Sequence, residues 1–147
     1  MPEFWEWLVY QGTEGRLKMP LEMVEEIRDG TDDLADWLSD RTNLDALCLD
    51  EEVDVALVQR VLDVGYALDL TDQEVEIIGR DPFLIAYGLK SRSDRSVVTN
   101  EISKPGKQRA NRKVPDVCNQ MQVAWMDSFG LIRNLNFSTS WRAAAGL

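Results

Sequence analysis

Histidine is absent from this chain of 147 residues, and its absence excludes several kinds of active site. Ser–His and Cys–His nucleophiles, histidine general bases and histidine metal ligands are all ruled out. Any catalysis must therefore rest on carboxylates, lysine, tyrosine, a thiol or a metal held by oxygen atoms. Mg²⁺ and Mn²⁺ favour carboxylate and water oxygens, so acidic residues are the first candidates for a site.

Cysteine is scarce, and long hydrophobic runs are missing. Cys48 and Cys118 are the only two cysteines, and two thiols in a reducing compartment are more often free than bridged. No apolar run approaches the roughly 20 residues of a membrane helix. The first residues lack the basic segment of a signal peptide. We therefore expect a cytoplasmic protein without a membrane partner.

Negative charge predominates, but it is unevenly distributed. The formal net charge is −10, whereas residues 90–113 carry eight Lys or Arg against two acids, a balance of +6. This distribution disfavours non-specific wrapping of nucleic acid, yet it allows an oriented contact with a phosphate backbone through residues 90–113. The candidate substrate-binding cations are Lys104, Lys107, Arg109, Arg112 and Lys113.

The pattern of apolar residues and breakers predicts an α/β layer fold with a mostly parallel sheet, in one domain of residues 1–147. We expect residues 100–113 to form a mobile loop and residues 138–147 a flexible tail. Thr71 and Glu74 predict a capping box. Helices are predicted near residues 4–12, 20–30, 33–38, 53–65, 81–87 and 129–133, and short strands at 44–49, 96–99 and 135–137.

Four acids lie at positions where chemistry is possible, and each also has a simpler structural explanation. Glu101 follows the predicted strand, and sites in open α/β sheets form beyond the carboxyl ends of strands; the alternative is a hairpin-like connection with solvated charges. Asp81 precedes Pro82 and is expected as a helix N-cap, a role compatible with metal binding. Glu25 and Glu26 lie on a helix whose solvated face accounts equally well for both.

Several segments, in this order and spacing, resemble an uncharacterised bacterial family of PIN-like domains related to the VapC-type toxin nucleases. The resemblance covers residues 3–137. It rests on Phe4-Trp5-Glu6-Trp7-Leu8, Val24-Glu25-Glu26-Ile27, Asp33-Leu34-Ala35-Asp36-Trp37, Asp81-Pro82-Phe83-Leu84-Ile85, Val97-Val98-Thr99-Asn100-Glu101 and Val114-Pro115-Asp116-Val117-Cys118.

The resemblance implies a three-layer α/β/α fold and a metal-dependent endoribonuclease, the toxin of a toxin–antitoxin pair. Its partners would be an RNA substrate and an antitoxin protein, and its cofactor Mg²⁺ or Mn²⁺. Carried over by position, the catalytic and metal-binding acids are Glu26, Asp81 and Glu101, which favours Glu26 over Glu25. Asp116 is a secondary candidate.

The family pattern also begins with a strand that carries a further catalytic Asp, ahead of the Phe4-Trp5 segment. We expect that strand and its acid to be missing from this chain. The chain would then be destabilised, or would recruit a strand from a partner or from a second copy of itself. The alternative function is a catalytically incomplete nuclease-derived protein that binds a partner protein, and a third is an acidic interaction protein unrelated to nucleases.

Overall fold

The computed structural model describes residues 2–147, which fall into two units by their internal contacts. The first unit comprises the residues up to Glu51 together with Ile132–Leu147, and the second is Glu52–Leu131. Each unit has a buried core of its own. Val24, Leu38 and Leu47 form the core of the first unit, and a larger cluster around Ile85 and Val117 forms the core of the second.

Helices make up most of the described residues, and two short strands complete the fold. Within residues 2–147, no helix combines the length and the apolar character needed to span a bilayer. In chain order the elements are α1 (Pro2–Thr13), α2 (Leu21–Arg28), α3 (Asp33–Ser39), α4 (Arg41–Leu47), α5 (Val55–Arg60), a π-helix (Val61–Tyr66), α6 (Asp72–Ile78), α7 (Asp81–Lys90), β1 (Ser96–Val98), a 3₁₀ turn (Arg109–Asn111), α8 (Val114–Met121), β2 (Ala124–Met126), α9 (Ser128–Asn134) and α10 (Trp141–Ala144).

The two strands pair in parallel, which confirms a mixed α/β protein with a parallel sheet. Val97 of β1 lies opposite Trp125 of β2, and Thr99 extends the pairing by donating its N–H to the Met126 carbonyl at 2.9 Å. Helix α7 packs against β1, and Gly88 permits this approach: a Cβ there would lie 2.9 Å from a Val97 methyl group. Within the described residues, the sheet consists of these two strands. The sequence predicts a layered α/β fold, whose sheet would have more strands.

In the first unit, α1 and α4 approach each other closely at Gly12. A Cβ at this position would lie 2.5 Å from the carbonyl oxygen of Ala46. That oxygen belongs to the backbone and already accepts a hydrogen bond from the Lys18 ammonium at 2.9 Å. The missing side chain of Gly12 therefore sets the distance between the two helices.

The strand predicted at residues 44–49 is wrong, because these residues largely belong to α4. The Asp40 carboxylate accepts hydrogen bonds from the N–H groups of Thr42 and Asn43, at 3.0 and 3.3 Å, and so caps the helix. The apolar residues that suggested alternation lie on the buried side of this helix. Beyond its end, Cys48 forms a single parallel bridge with Met19.

The edge strand predicted at residues 135–137 is also wrong. Asn136 has a φ of +56°, in the left-handed region, and Phe137 donates its N–H to the Ile132 carbonyl at 3.0 Å. These are features of a turn that closes a helix. Residues 138–147, expected as a flexible tail, include α10, in which Trp141 is only 5% exposed.

Other local predictions are confirmed. The capping box of α6 has both of its hydrogen bonds, between Thr71 and Glu74. The helix predicted over residues 53–65 is present as α5 and the π-helix. Both Cys48 and Cys118 are free thiols, and burial raises the pKa of Cys118 to about 12.

Candidate functional site

Two of the three predicted acids, Asp81 and Glu101, line the same cavity in the second unit. The cavity has a volume of about 280 Å³ and polar as well as apolar walls. Three cations, Lys107, Arg112 and Lys113, share its lining. The remaining lining residues are Tyr66, Ile77, Ile78, Ala110 and Asn111.

Asp81 is the first residue of α7, one position later than the N-cap that the sequence suggested. Arg80 occupies the cap position, and Pro82 follows within the first turn, where its missing N–H costs no helical hydrogen bond. The half-buried carboxylate of Asp81 therefore lies at the positive end of the helix dipole, where negative charge is favourable. The backbone of α7 thus presents this carboxylate to the cavity from a fixed position.

Glu101 is fixed by two local hydrogen bonds. Its Oε1 accepts the N–H of Val114, the first residue of α8, at 3.2 Å. Its own N–H is donated to the Thr99 hydroxyl oxygen at 3.2 Å, so Thr99 orients its neighbour as expected. The side chain of Glu101 therefore links the end of β1 to the start of α8 through one of its two carboxylate oxygens.

Asp116 anchors the loop that carries Glu101. It is buried, at 7% exposure, and each of its carboxylate oxygens accepts a hydrogen bond. One accepts from the Ser103 hydroxyl, and the other accepts from the Lys104 N–H at 2.8 Å. Asp116 is a secondary candidate for a metal-binding acid, but it is absent from the cavity lining. It therefore positions the loop without lining the cavity.

The five predicted cations occupy different environments. Lys107 and Lys113 line the cavity. Arg112 also lines it, but its guanidinium donates to the carbonyl of Gly65, the side chain of Gln120 and the carbonyl of Asp116. Lys104 is exposed outside the lining. Only part of the positive loop therefore faces the two carboxylates.

Arg109 turns away from the cavity towards α6. Its guanidinium lies 2.8 Å from Asp69 and 2.9 Å from Glu74, and these ion pairs fix the 3₁₀ turn to the start of α6. Hydrogen bonding to Arg109 lowers the pKa of Glu74 to about 2 and also lowers the pKa of Asp69. Arg109 therefore connects the loop to the start of α6 and is not available to the cavity.

Tyr66 is a buried polar residue of the cavity. Its side chain is 8% exposed, and its hydroxyl has no hydrogen-bond partner among the described residues. Burial raises the pKa of Tyr66 well above its usual value, and the charges of Asp81 and Glu101 raise it further. The hydroxyl is consequently protonated at neutral pH.

Glu26 lies elsewhere in the chain. It is exposed on α2 of the first unit and does not line the cavity. Within residues 2–147, no group of three or more acidic or thiol side chains is placed to hold a metal ion. The structure thus brings together two of the three predicted acids.

Two features of the site are not evident in the sequence. Tyr66 ends a helix, and its spacing marks it as a core residue; only the unusual π-helical turn identifies it. Arg109 finds its partners 35 and 40 positions away, and its left-handed φ of +52° has no local signal such as a glycine.

The comparisons with known proteins identify a family whose function is unknown. The family described as "Domain of unknown function (DUF4411)" matches residues 1–139. No curated protein and no solved structure matches the chain at a significant level.

Proposed function

The chain belongs to the DUF4411 family, and we propose that it is a metal-dependent endoribonuclease with a three-layer α/β/α PIN-like fold. We further propose that it acts as the toxin of a toxin–antitoxin pair, with Mg²⁺ or Mn²⁺ as its cofactor. The observation that supports the activity best is the cavity in which Asp81 and Glu101 lie with Lys107 and Lys113. Carboxylates suit a divalent cation, and ammonium groups suit the phosphates of RNA.

The donor set of the cavity fits such a cation. Mg²⁺ commonly takes one or two protein carboxylates and completes its six ligands with water and substrate phosphate. Asp81 and Glu101 would supply these two carboxylates, so a third carboxylate from Glu26 is not needed. Bound there, the metal would supply Lewis-acid stabilisation of charge on a phosphoryl group.

The remaining residues of the cavity would bind and orient the substrate. Lys107 and Lys113 would contact non-bridging phosphate oxygens. Arg112, which donates to the Gly65 carbonyl and to Gln120, links the π-helix to α8 at the wall of the cavity. Asp116 holds the loop from Ser103 to Lys104 and so preserves the position of Glu101.

The second candidate function is a nuclease-derived protein that lacks activity and binds a partner protein. One observation favours it: the described residues contain no group of three acids that could hold a metal. The first unit has 14 acidic residues against six basic ones, a balance of −8, so the partner in either case would be a basic protein.

The first prediction tests the activity directly. Purified protein should cleave single-stranded RNA in Mg²⁺ or Mn²⁺, and Asp81→Asn or Glu101→Gln should lower cleavage to background. Asp81→Asn should change the free energy of unfolding by no more than about 1 kcal/mol, the usual size of a charge–dipole interaction at a helix start. Gel-resolved cleavage of labelled RNA and urea denaturation provide the two measurements.

Asp72→Asn is the matched control, because Asp72 is also the first residue of its helix but is exposed and outside the cavity. It should cleave RNA like the wild type. Full activity of Asp81→Asn, or cleavage that persists in excess EDTA, would overturn the assignment. A folded wild-type protein with no cleavage under any metal would favour the partner-binding function.

A further inference from the structure

The hydroxyl of Tyr66 is a buried donor without an acceptor among the described residues, and Tyr66 lines the same cavity as the two carboxylates. We propose that it donates a hydrogen bond to a non-bridging oxygen of an RNA phosphodiester bound in this cavity. The proposal rests on the proposed function, because that function supplies the phosphodiester. It assigns to Tyr66 a substrate-binding role that neither the metal-ligand acids nor the loop cations fill.

The burial of Tyr66 is the first argument. Tyr66 is only 8% exposed, yet its hydroxyl makes no hydrogen bond with any described residue. Buried hydroxyls are nearly always paired, because an unpaired one loses its hydration without compensation. The hydroxyl oxygen itself has almost no accessible surface, so an acceptor in the cavity of about 280 Å³ that Tyr66 lines would reach it after a small rotation of the side chain.

The charges of the cavity indicate what that acceptor is. A tyrosine hydroxyl is protonated at neutral pH, so it can donate a hydrogen bond. Lys107 and Lys113 in the same lining favour an anionic oxygen. A hydrogen bond from a neutral donor to an ionised acceptor is stronger than one between neutral groups.

The backbone that carries Tyr66 is closely packed. Tyr66 ends the π-helix, a rare element that often occurs at functional sites. The preceding residue, Gly65, packs so tightly on α8 that a Cβ there would lie 2.6 Å from a methyl group of Val117. The Gly65 carbonyl is also bonded to Arg112. The backbone at Tyr66 is therefore held in place before any ligand binds.

The test is the variant Tyr66→Phe, measured for stability and for RNA binding. The probe is a short, fluorescently labelled single-stranded RNA in EDTA, which blocks metal-dependent cleavage during the titration. We expect the dissociation constant to rise about tenfold or more, the size of a lost hydrogen bond to a charged acceptor. We also expect the melting temperature to rise by a few degrees, because an unsatisfied buried hydroxyl has been removed.

The opposite signs of these two effects separate a binding role from a structural one. A residue that only supports the fold would lose stability and binding together. Tyr87→Phe is the matched control, because Tyr87 is also buried but does not line the cavity. It should leave the dissociation constant unchanged. Inorganic phosphate should compete with the RNA for the wild type and compete less well for Tyr66→Phe.

The outcomes distinguish this inference from the proposed function. Unchanged RNA and phosphate affinity in Tyr66→Phe overturns the inference, even if the wild type cleaves RNA. A wild type that binds neither RNA nor phosphate overturns it as well. Weakened binding by Tyr66→Phe without cleavage by the wild type in Mg²⁺ or Mn²⁺ supports the phosphate contact and refutes the nuclease.

Discussion

Arg109 shows how a single residue can be fixed by partners far along the chain. Its backbone adopts a φ of +52°, which is unfavourable for a side chain of this size. The guanidinium bonds to both carboxylate oxygens of Glu74, at 3.0 and 2.9 Å, and to Asp69 at 2.8 Å. These bonds hold the strained turn in place, so the turn and α6 are expected to loosen together.

The pKa of Glu74 gives a prediction for acid stability. Its folded-state value of about 2 lies below the ordinary value of 4.5. The stabilisation is therefore fully present above pH 4.5 and is lost as the pH falls towards 2. Glu74→Gln keeps an acceptor for the capping box but removes the charge. Its melting temperature should be lower than that of the wild type at neutral pH, and the difference should shrink between pH 4.5 and 2.

Thermal denaturation at several pH values measures this difference. Glu76→Gln, on an exposed side chain of the same helix, is the control for removing one negative charge from a protein of net charge −10. A gap between the wild type and Glu74→Gln that stays constant down to pH 2 would contradict the role assigned to the ion pair.

At the residue scale, the sequence predicts those parts of the site that have local signals. Asp81 and Glu101 follow from a helix start and a strand end, both of which are visible in the chain. Tyr66 does not, because whether a buried hydroxyl finds an acceptor depends on packing between distant elements. The pairing of Arg109 is hidden for the same reason, so the sequence places it among the phosphate-binding cations.

At the scale of elements, the close contact of α1 with α4 gives a prediction for packing. Gly12→Ala would place a Cβ 2.5 Å from the carbonyl oxygen of Ala46, and a backbone atom in a helix cannot move aside as a side chain can. The gain of about 1 kcal/mol from better helix propensity is outweighed by this clash. We expect the free energy of unfolding to fall by about 1–3 kcal/mol.

Urea denaturation measures this loss, and Gly106→Ala is the control. A Cβ at Gly106 would meet no atom within 4 Å, so this variant should stay within about 0.5 kcal/mol of the wild type. Equal stability of Gly12→Ala and the wild type would show that the two helices can separate without cost.

Elements with a local start signal are predicted well, and those that depend on a partner are not. Thr71 caps α6, as its capping box predicts, and Asp32 caps α3, where the sequence allows either Asp32 or Asp33. Strand β2 has three residues with no clear alternation and exists because it pairs with β1. The error at residues 44–49 has the same origin, because a short apolar segment fits a strand and a buried helix equally well.

At the scale of the whole molecule, the uneven charge governs how RNA would approach. A protein of net charge −10 repels a polyanion at long range, whereas Lys107 and Lys113 attract phosphate at the cavity. The contact should therefore be local and strongly dependent on salt. Of the five candidate cations, Lys107 and Lys113 are the best placed to contact a phosphate in the cavity. Arg109 and Arg112 are engaged by other protein groups, and Lys104 lies outside the lining.

The double variant Lys107→Gln/Lys113→Gln tests this division of the cations. Each lost contact with a single-stranded phosphate should lower the slope of log K against log salt by about 0.7. The double variant should thus lose about 1.4 of the slope, and its affinity should fall for every RNA sequence, because phosphate contacts carry no base information. Fluorescence anisotropy of labelled RNA over a range of salt concentrations, in EDTA, gives both quantities.

Lys90→Gln/Arg92→Gln is the matched control for this change of charge. Both residues are exposed in the same positive segment but do not line the cavity. Their loss changes the net charge by the same amount, so a purely long-range attraction would be weakened equally in the two double variants. A contact inside the cavity predicts a reduced slope for the Lys107 and Lys113 variant alone. Equal slopes in all three proteins would mean that these lysines are solvated and that RNA does not enter the cavity.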